Sequence, residues 1–128
     1  RTWPGVWTNS CCGHPKPGEP MEQAIERRVR EELGVNATSI RALLSDFRYE
    51  AIDASGIREN EVCPVFVATL EGALTPDPGE VMETRWVDTE VLADLAGHAP
   101  WMLSPWCVDQ VAQMDMSALG RGIGMARL

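Results

Sequence analysis

The sequence is poor in the features that direct a protein to nucleic acid, to a membrane or to an oxidising compartment. Of its 11 basic residues only Lys16 is a lysine, and a net charge of −8 argues against nucleic acid and anionic membranes as main partners. No apolar run approaches the roughly 20 residues that cross a bilayer, and no signal peptide is recognisable. The 128 residues suffice for one domain with a real core, and the acidic composition suits a soluble protein that binds cations through carboxylates.

Disulfide and zinc-binding patterns are missing too. The four cysteines form no Cys-x-x-Cys pair and have no zinc-ligand spacing; they are Cys11, Cys12, Cys63 and Cys107. Because two of them are adjacent, they make a poor disulfide framework, and we expect reduced thiols in a cytoplasmic protein. We further expect a monomer or a weak dimer.

Periodicity and turn residues predict a single α+β domain over residues 1–128, with helices on a mixed β-sheet in an α/β/α sandwich. Helices are predicted at residues 20–33, near 89–95 and from 105 to about 114, and strands at 46–52, 61–70 and 84–87, the first two forming a hairpin. Ser104 is the expected cap of the last helix, and the Gly-rich tail from Ser117 is expected to be loose. Because few strands precede the first helix, we expect one or two further strands upstream of residue 1.

The stretch from Gly13 to Val35 carries the most informative pattern. It reads G-x5-E-x7-R-x-U-x-E-E-x-G-U, where U is aliphatic, and the matching residues are Gly13, Glu19, Arg27, Val29, Glu31, Glu32, Gly34 and Val35. An amphipathic surface helix with solvated ion pairs would explain the charges, but not the spaced glycines with Glu19 in register. The frame resembles the Nudix box, a loop–helix–loop that holds divalent metal on a diphosphate. The hydrolases of that family have Glu where this chain has Arg28.

Two short motifs place pairs of reactive side chains on one face of an extended segment. In the segment CGH, Cys12 and His14 make an acid/base unit or a metal site, unless Cys12 is simply a small buried hydrophobe. In the segment ENE, the carboxylates of Glu59 and Glu61 repel each other unless a cation lies between them. The simpler alternative for that pair is a solvated shoulder of a hairpin.

Six segments together extend the resemblance over roughly residues 1–110: TWPGVWTN, CGHP, DFRYEA, SGIRENEVCPVF, EVMETRW and SPW. They resemble the type 1 isopentenyl-diphosphate isomerases, Nudix-fold enzymes that have lost hydrolysis. The resemblance implies a Nudix fold and an acid/base isomerisation in isoprenoid biosynthesis. Isopentenyl diphosphate would be protonated at its terminal alkene carbon and lose the opposite proton, which gives dimethylallyl diphosphate.

The resemblance also assigns catalytic roles. Cys12 matches the catalytic thiol, and the CGHP match favours it over the adjacent Cys11. Glu61 matches a catalytic carboxylate that also binds metal. Tyr49, the only tyrosine of the chain, matches a hydrogen-bonding group of the proton relay, and Trp106 matches an indole that stabilises the tertiary carbocation. Taken without the resemblance, each of these two aromatic residues is more simply a core residue.

Two metal ions are implied by the same resemblance. His14, Glu59 and Glu61 match three ligands of one divalent ion, Mn²⁺ or Zn²⁺, while two further histidine ligands of the family would lie upstream of residue 1. Glu32 and the backbone carbonyl of Cys12 match the ligands of a Mg²⁺ ion that sits on the substrate diphosphate.

Arg28 matches a diphosphate-binding arginine, and Arg1 lies among the basic residues expected to do the same. The partner is therefore expected to be a small isoprenyl diphosphate, with neither nucleic acid nor membrane involved. One alternative is a Nudix pyrophosphohydrolase acting on a nucleoside diphosphate derivative, against which Arg28 argues. Another is a non-enzymatic interaction module on an inactivated Nudix scaffold.

Overall fold

Helices and antiparallel strands are interspersed along the chain. The computed structural model describes residues 3–120 and 122–128. The described elements are β1 (Trp7–Asn9), α1 (Met21–Leu33), β2 (Asn36–Leu44), β3 (Arg48–Ile52), β4 (Arg58–Val62), β5 (Val65–Glu71), β6 (Glu83–Asp88), α2 (Thr89–His98), α3 (Pro105–Gln113) and β7 (Gly122–Arg127), with short 3₁₀ helices at Pro100–Met102 and Met116–Leu119. This content confirms the α+β class.

The strands form three small sheets, and every strand pair within the described residues is antiparallel. β1, β7 and β6 lie side by side in that order, β2 pairs with β5, and β3 pairs with β4. A mixed sheet was expected, but among the described residues parallel pairing is limited to an isolated bridge between Trp7 and Leu103. No helix among the described residues is both long enough and apolar enough to cross a membrane.

The box helix is confirmed as α1, which ends where the pattern predicts. Gly34 has a φ of 65°, in the left-handed region that favours glycine, and its N–H closes the last turn. The following loop covers this end of the helix, because the Thr75 N–H donates to the Leu33 carbonyl and the Asp77 N–H to the Glu32 carbonyl, both at 2.9 Å. The helix buries one stripe against the core, at Ala24, Val29, Glu32 and Leu33.

Two groups of buried side chains join these elements. The first packs α1 against β2 and β7 and contains Val29, Leu33, Val35, Ala37, Val81 and Ala126. The second joins α2, α3 and β7 and contains Leu92, Leu103, Cys107, Val111 and Met125. The candidate site lies where the loop after β1 meets α1, α3 and the β3–β4 hairpin.

The predicted hairpin is wrong in its second strand. β3 pairs with β4 (Arg58–Val62), not with one long strand over residues 61–70. Pro64 has no N–H to donate to a ladder, and the chain breaks there into two strands. β5 begins directly afterwards and pairs with β2, a strand that the sequence pattern did not predict. The pairing of β2 is irregular, with register shifts that obscure the alternation expected of a strand.

The expectation of a loose C-terminal tail is also wrong. β7 (Gly122–Arg127) is the central strand between β1 and β6. A Cβ at Gly124 would lie 3.2 Å from the Ser10 hydroxyl and 3.6 Å from the Trp86 ring. Glycine in this strand therefore marks the close approach of neighbouring side chains, rather than a flexible segment.

Candidate active site

Cys12 and His14 lie in the loop between β1 and α1, and Arg27 of the box helix holds that loop in place. Arg27 Nε and Nη2 donate to the two oxygens of Glu19 at 2.8 and 2.9 Å, and Nη2 also donates to the His14 carbonyl at 3.1 Å. The Lys16 N–H adds a hydrogen bond of 2.7 Å to Glu19. The bonds from Arg27, and then from Lys16, lower the pKa of Glu19 to about 2, so this carboxylate stays ionised and keeps its bonds to the loop and to α1.

The Cys12 thiol contacts the side chain of Asn9. Asn9 Nδ2 lies 3.2 Å from the sulfur and donates to it. Burial by surrounding protein raises the pKa of the Cys12 thiol to about 12, and the hydrogen bond from Asn9 partly opposes that rise. Cys12 as a whole is nevertheless an exposed residue, and it lines the adjoining cavity. Cys12 is therefore a protonated thiol at neutral pH that remains within reach of a small molecule.

A cavity of about 230 Å³ opens beside this thiol. Cys12 and Arg28 form part of its wall. Most of the remaining wall is apolar and includes Met21, Ile25, Val65, Val67 and Trp86. The cavity thus combines a hydrocarbon surface with a guanidinium, a combination that suits an apolar molecule with an anionic head group.

Trp106 stands at the start of α3, where a side-chain cap sets the helix. The Ser104 hydroxyl accepts the Cys107 N–H at 3.2 Å, which confirms the predicted cap. The indole of Trp106 is 4% exposed, and its Nε1–H donates to Asn9 Oδ1 at 3.1 Å. The Tyr49 ring lies 5.4 Å from the indole between centroids. The indole and the catalytic thiol candidate therefore share the amide of one asparagine.

The β3–β4 hairpin carries three of the predicted site residues on one face. Tyr49 pairs opposite Glu61, and Ala51 pairs opposite Glu59. The Tyr49 hydroxyl donates to Glu59 Oε2 at 2.9 Å, and burial together with this carboxylate raises the pKa of Tyr49. Glu61 Oε2 lies 3.2 Å from His14 Nε2 of the loop after β1. The hairpin and that loop therefore meet through an imidazole–carboxylate pair.

The His14–Glu61 pair fits one metal in part. An imidazole nitrogen beside a carboxylate oxygen suits Zn²⁺ or Mn²⁺. The predicted third ligand, Glu59, accepts from Tyr49. Within residues 3–120 and 122–128, no group of three or more His, Cys, Asp or Glu side chains is placed to hold a metal ion. The structure therefore brings two of the three predicted ligands together and leaves the set incomplete.

The Arg28 guanidinium contacts both groups that are predicted to hold Mg²⁺, the Cys12 carbonyl and the Glu32 carboxylate. Arg28 Nε and Nη2 each lie 3.4 Å from the Cys12 carbonyl oxygen, and Nη2 also donates to Glu32. Glu32 is 4% exposed, and burial raises its pKa against the opposing effect of Arg28. The arginine packs over Gly13, where a Cβ would collide with it. These two oxygen groups already converge on one positive charge, and Mg²⁺ prefers oxygen ligands, so the arrangement fits Mg²⁺.

A comparison with protein families identifies the family to which this loop–helix–loop belongs. The family model described as NUDIX domain matches residues 1–107, which include the box helix, the β3–β4 hairpin and the start of α3. The chain belongs to the NUDIX domain family.

This NUDIX chain is also similar to curated proteins that carry one name, Isopentenyl-diphosphate Delta-isomerase. The protein of that name from Frankia alni is 56% identical over 118 residues, covering 92% of this chain and 61% of the relative. Those from Paenarthrobacter aurescens and Mycolicibacterium vanbaalenii are 54% and 49% identical and are covered over 62% and 66% of their lengths. The chain thus spans about three-fifths of the length of the curated relatives it matches.

The NUDIX scaffold assembles predicted site residues into three groups. Cys12, Trp106 and Tyr49 are connected through Asn9 and ring contact, His14 pairs with Glu61, and Arg28 contacts Glu32 and the Cys12 carbonyl. Their catalytic roles stay predictions. Adjacent Cys11 also lines the cavity, but it packs against the α1 core and interacts with Glu32. Arg1 lies outside the described residues.

Sequence reasoning missed Asn9. It ends β1 three residues before Cys12 and contacts both that thiol and the indole of Trp106. An asparagine next to a loop is an ordinary turn residue, so its identity raises no suspicion. The contact with Trp106 joins positions 97 residues apart, a relation that no local pattern encodes.

Proposed function

We propose that this chain carries the catalytic site of an isopentenyl-diphosphate isomerase. A proton would be added to the terminal alkene carbon of isopentenyl diphosphate and another removed on the opposite side of the tertiary carbon, giving dimethylallyl diphosphate. Support comes from the relatives of that name and from the NUDIX domain. The observation that carries the proposal is that the protonated Cys12 thiol and the Trp106 indole meet on one side chain, Asn9.

The acid/base assignment follows from the protonation states. A thiol whose pKa is raised to about 12 holds its proton at neutral pH and is the group that can give one up. Glu61, paired with His14, is the group that can exchange the other proton. Tyr49 adds a hydroxyl whose proton is directed at Glu59, next to Glu61 on the same face of β4. Placed acid/base groups each contribute on the order of 10²–10⁴-fold.

Acid/base groups alone leave the tertiary carbocation unstabilised, and Trp106 supplies that stabilisation. A desolvated cation over an indole face gains about 2 kcal/mol or more. The indole is buried, with the Tyr49 ring on one side and the Trp3 ring edge-on at 5.2 Å. In the described part of the chain Trp106 does not line the cavity beside Cys12, so a C5 chain would have to reach the indole from the Cys12 side or displace the Trp3 ring. A cation held against the buried indole would be shielded from the water that otherwise traps it.

The diphosphate is proposed to anchor at the box. Arg28 would bind it through its guanidinium, with Arg1 as a second basic group. Glu32 and the Cys12 carbonyl would hold Mg²⁺, and His14, Glu61 and Glu59 would contribute to a site for Mn²⁺ or Zn²⁺. Bound ions would neutralise diphosphate charge and polarise the groups near the carboxylates. Binding energy from this remote anchor would then hold the alkene against the acid and base.

The structure argues against the pyrophosphohydrolase alternative at one position of the box. The box position that carries a glutamate in the family's hydrolases is Arg28, which pairs with Glu31 and Glu32. It thus presents a cation to a phosphate where a hydrolase would present a metal-binding carboxylate.

Four further expectations belong to the same proposal: residues 1–128 as one Nudix-type domain, a cytoplasmic location, a monomer or weak dimer, and no nucleic acid or membrane partner. The net charge of −8 supports the last of these, and the four cysteines, all free, agree with a reducing compartment.

The test follows isopentenyl diphosphate with Mg²⁺ in D₂O by proton and phosphorus NMR, with the protein at its natural length. The proposal predicts deuterium in dimethylallyl diphosphate, an intact diphosphate, and loss of exchange when EDTA removes divalent ions. Release of phosphate would establish the pyrophosphohydrolase instead. An unchanged substrate would overturn the isomerase, and phosphate release from a nucleoside diphosphate derivative would then separate the pyrophosphohydrolase from the interaction module.

A further inference from the structure

Asn9 uses nearly all of its hydrogen-bonding capacity inside the candidate site. Its Oδ1 accepts from Trp106 Nε1 at 3.1 Å and from Thr8 Oγ1 at 2.9 Å. Its Nδ2 donates to the Cys11 carbonyl at 3.1 Å and to Cys12 Sγ at 3.2 Å. One amide thus connects the loop that carries the thiol to the helix that carries the indole.

The orientation of this amide is fixed by its partners. An indole N–H can only donate, so the atom that faces Trp106 must be the oxygen of Asn9. A backbone carbonyl can only accept, so the atom that faces Cys11 must be the nitrogen. A flipped amide would break both bonds at once. The second hydrogen of Nδ2 is therefore directed at the Cys12 sulfur.

Two buried hydroxyl groups, those of Thr8 and Ser104, are hydrogen-bonded to each other, and Thr8 is bonded to the Asn9 amide. Thr8 gives its single proton to Asn9, so the proton in the 2.8 Å bond between Thr8 Oγ1 and Ser104 Oγ must come from Ser104. Ser104 also caps α3, and its N–H donates to the Trp7 carbonyl at 2.8 Å. Thr8 is 1% exposed and Ser104 is fully buried. The end of β1 and the start of α3 are thereby joined rigidly around Asn9.

We propose that Asn9 is a positioning residue that fixes the Cys12 thiol and the Trp106 indole relative to each other. This inference rests on the proposed isomerase function. The acid/base step needs the thiol beside the carbon that exchanges its proton, and the cation needs the indole face at the same moment. Displacement of a reacting group by about 1 Å can cost on the order of 10²-fold in rate. Among the described residues no hydrogen bond joins Asn9 to Arg28, so we expect the loss of Asn9 to affect the diphosphate anchor less than the reacting groups.

Two substitutions distinguish the contact of Asn9 with the Cys12 loop from its contact with the Trp106 indole. Asn9→Asp keeps an oxygen for Trp106 and Thr8, to which the Cys12 thiol can still donate from 3.5 Å. It removes the N–H donors to the Cys11 carbonyl and the Cys12 sulfur, and it places a carboxylate oxygen against that carbonyl. Asn9→Ala removes all of these bonds. The matched control is Asn36→Asp, because Asn36 is exposed and its oxygen accepts from Arg30, a bond that aspartate retains.

The experiment measures kcat and KM for isopentenyl diphosphate in the protein at its natural length, together with the Trp106 indole N–H resonance, assigned with Trp106→Phe. Both Asn9 variants should lower kcat by about 10²-fold with KM near that of wild type. The resonance should lose its hydrogen-bonded position in Asn9→Ala, whereas in Asn9→Asp it should stay hydrogen-bonded and move downfield, because a carboxylate is the stronger acceptor. Asn36→Asp should match wild type in every measurement.

Wild-type kcat in Asn9→Asp, or a rise in KM that accounts for the whole loss, would overturn the inference. If Asn9→Ala fails to fold, Asn9→Asp alone decides, because it keeps the bonds to Trp106 and Thr8. If wild type does not convert the substrate, the proposed function fails separately. The indole resonance then still tests the arrangement, and an unshifted signal in Asn9→Ala would contradict it.

Discussion

The box segment (residues 13–35) and the β3–β4 hairpin both carry site residues, but they are held in different ways. In the box segment, Glu19 and Arg27 form a bidentate pair whose side chains are only 14% and 21% exposed. In the hairpin, the corresponding cross-strand pair of Glu50 with Arg58 is 50% and 63% exposed. The box segment is therefore part of the framework of the fold, whereas the hairpin is largely a surface element that presents functional groups.

The two regions are expected to contribute differently to stability and to activity. The box helix buries a full stripe and its C-terminus is closed by the Thr75 loop. In the hairpin only Ala51 is buried. The hairpin is anchored by Phe47, which directly precedes β3 and is 2% exposed. Substitutions in the box segment should therefore lower stability first, and substitutions on the hairpin face should lower activity first.

The largest expected effect comes from Gly34→Ala at the end of the box helix. The residue has a φ of 65°, and a Cβ there would collide with Thr75. The left-handed conformation and the collision together should lower the free energy of unfolding by about 2–5 kcal/mol. The matched control is Gly97→Ala inside α2, where a Cβ meets nothing, and it should raise stability by about 0.5–1 kcal/mol. Urea unfolding measures both; equal stabilities would refute the assigned role of Gly34.

On the hairpin, Tyr49→Phe should separate activity from stability. It removes the hydroxyl that donates to Glu59 and leaves the ring against Trp106. We expect kcat to fall by about 10²-fold. The free energy of unfolding should change by about 1 kcal/mol or less, because the lost hydrogen bond is replaced by water. The opposite result is expected for Phe47→Ala nearby, with about 3–5 kcal/mol of stability lost and kcat better preserved. A Tyr49→Phe variant with wild-type kcat would remove Tyr49 from the proton relay.

A smaller, pH-dependent effect is expected for Glu19→Gln in the box segment. Folding lowers the pKa of Glu19 from 4.5 to about 2. The carboxylate therefore stabilises the folded state above about pH 4.5, and this contribution is lost as the pH falls toward 2. The urea midpoint of the variant should lie below that of wild type near neutral pH, and the gap should narrow on acidification.

The control for Glu19 is Glu50→Gln on the hairpin, which removes the exposed pair with Arg58 and should cost about 0–1 kcal/mol. A gap between wild type and Glu19→Gln that stays constant from neutral to acid pH would argue against a charged Glu19 as the clamp on the loop.

What could be predicted from the sequence depended on how far apart the interacting residues lie. The α1 helix, its Gly34 terminus and the Ser104 cap need only residues within a few positions, and each was found from its pattern. The shared face of Glu59 and Glu61 follows from strand alternation in the same way. All of these features are encoded locally.

Features that depend on distant partners escaped prediction. β2 is defined by its irregular pairing with β5, and β7 by two neighbours that lie on either side of it. The glycines of β7 suggested a loose tail because the side chains that pack over them, Ser10 and Trp86, come from elsewhere in the chain. Asn9 belongs to the same class, since its partner Trp106 is 97 residues away.

The central claim is that Cys12 is the proton-exchanging thiol of an isomerase, and the adjacent cysteines give the most direct test of it. Both cysteines line the cavity, but Cys12 contacts Asn9, whereas Cys11 packs against the α1 core beside Glu32, with which a serine hydroxyl can also hydrogen-bond. Deuterium incorporation into dimethylallyl diphosphate should be followed in D₂O for Cys12→Ser and Cys11→Ser. We predict a rate about 10²–10⁴-fold lower for Cys12→Ser and a rate close to wild type for Cys11→Ser. Equal rates in the two variants, or the larger loss in Cys11→Ser, would contradict the account.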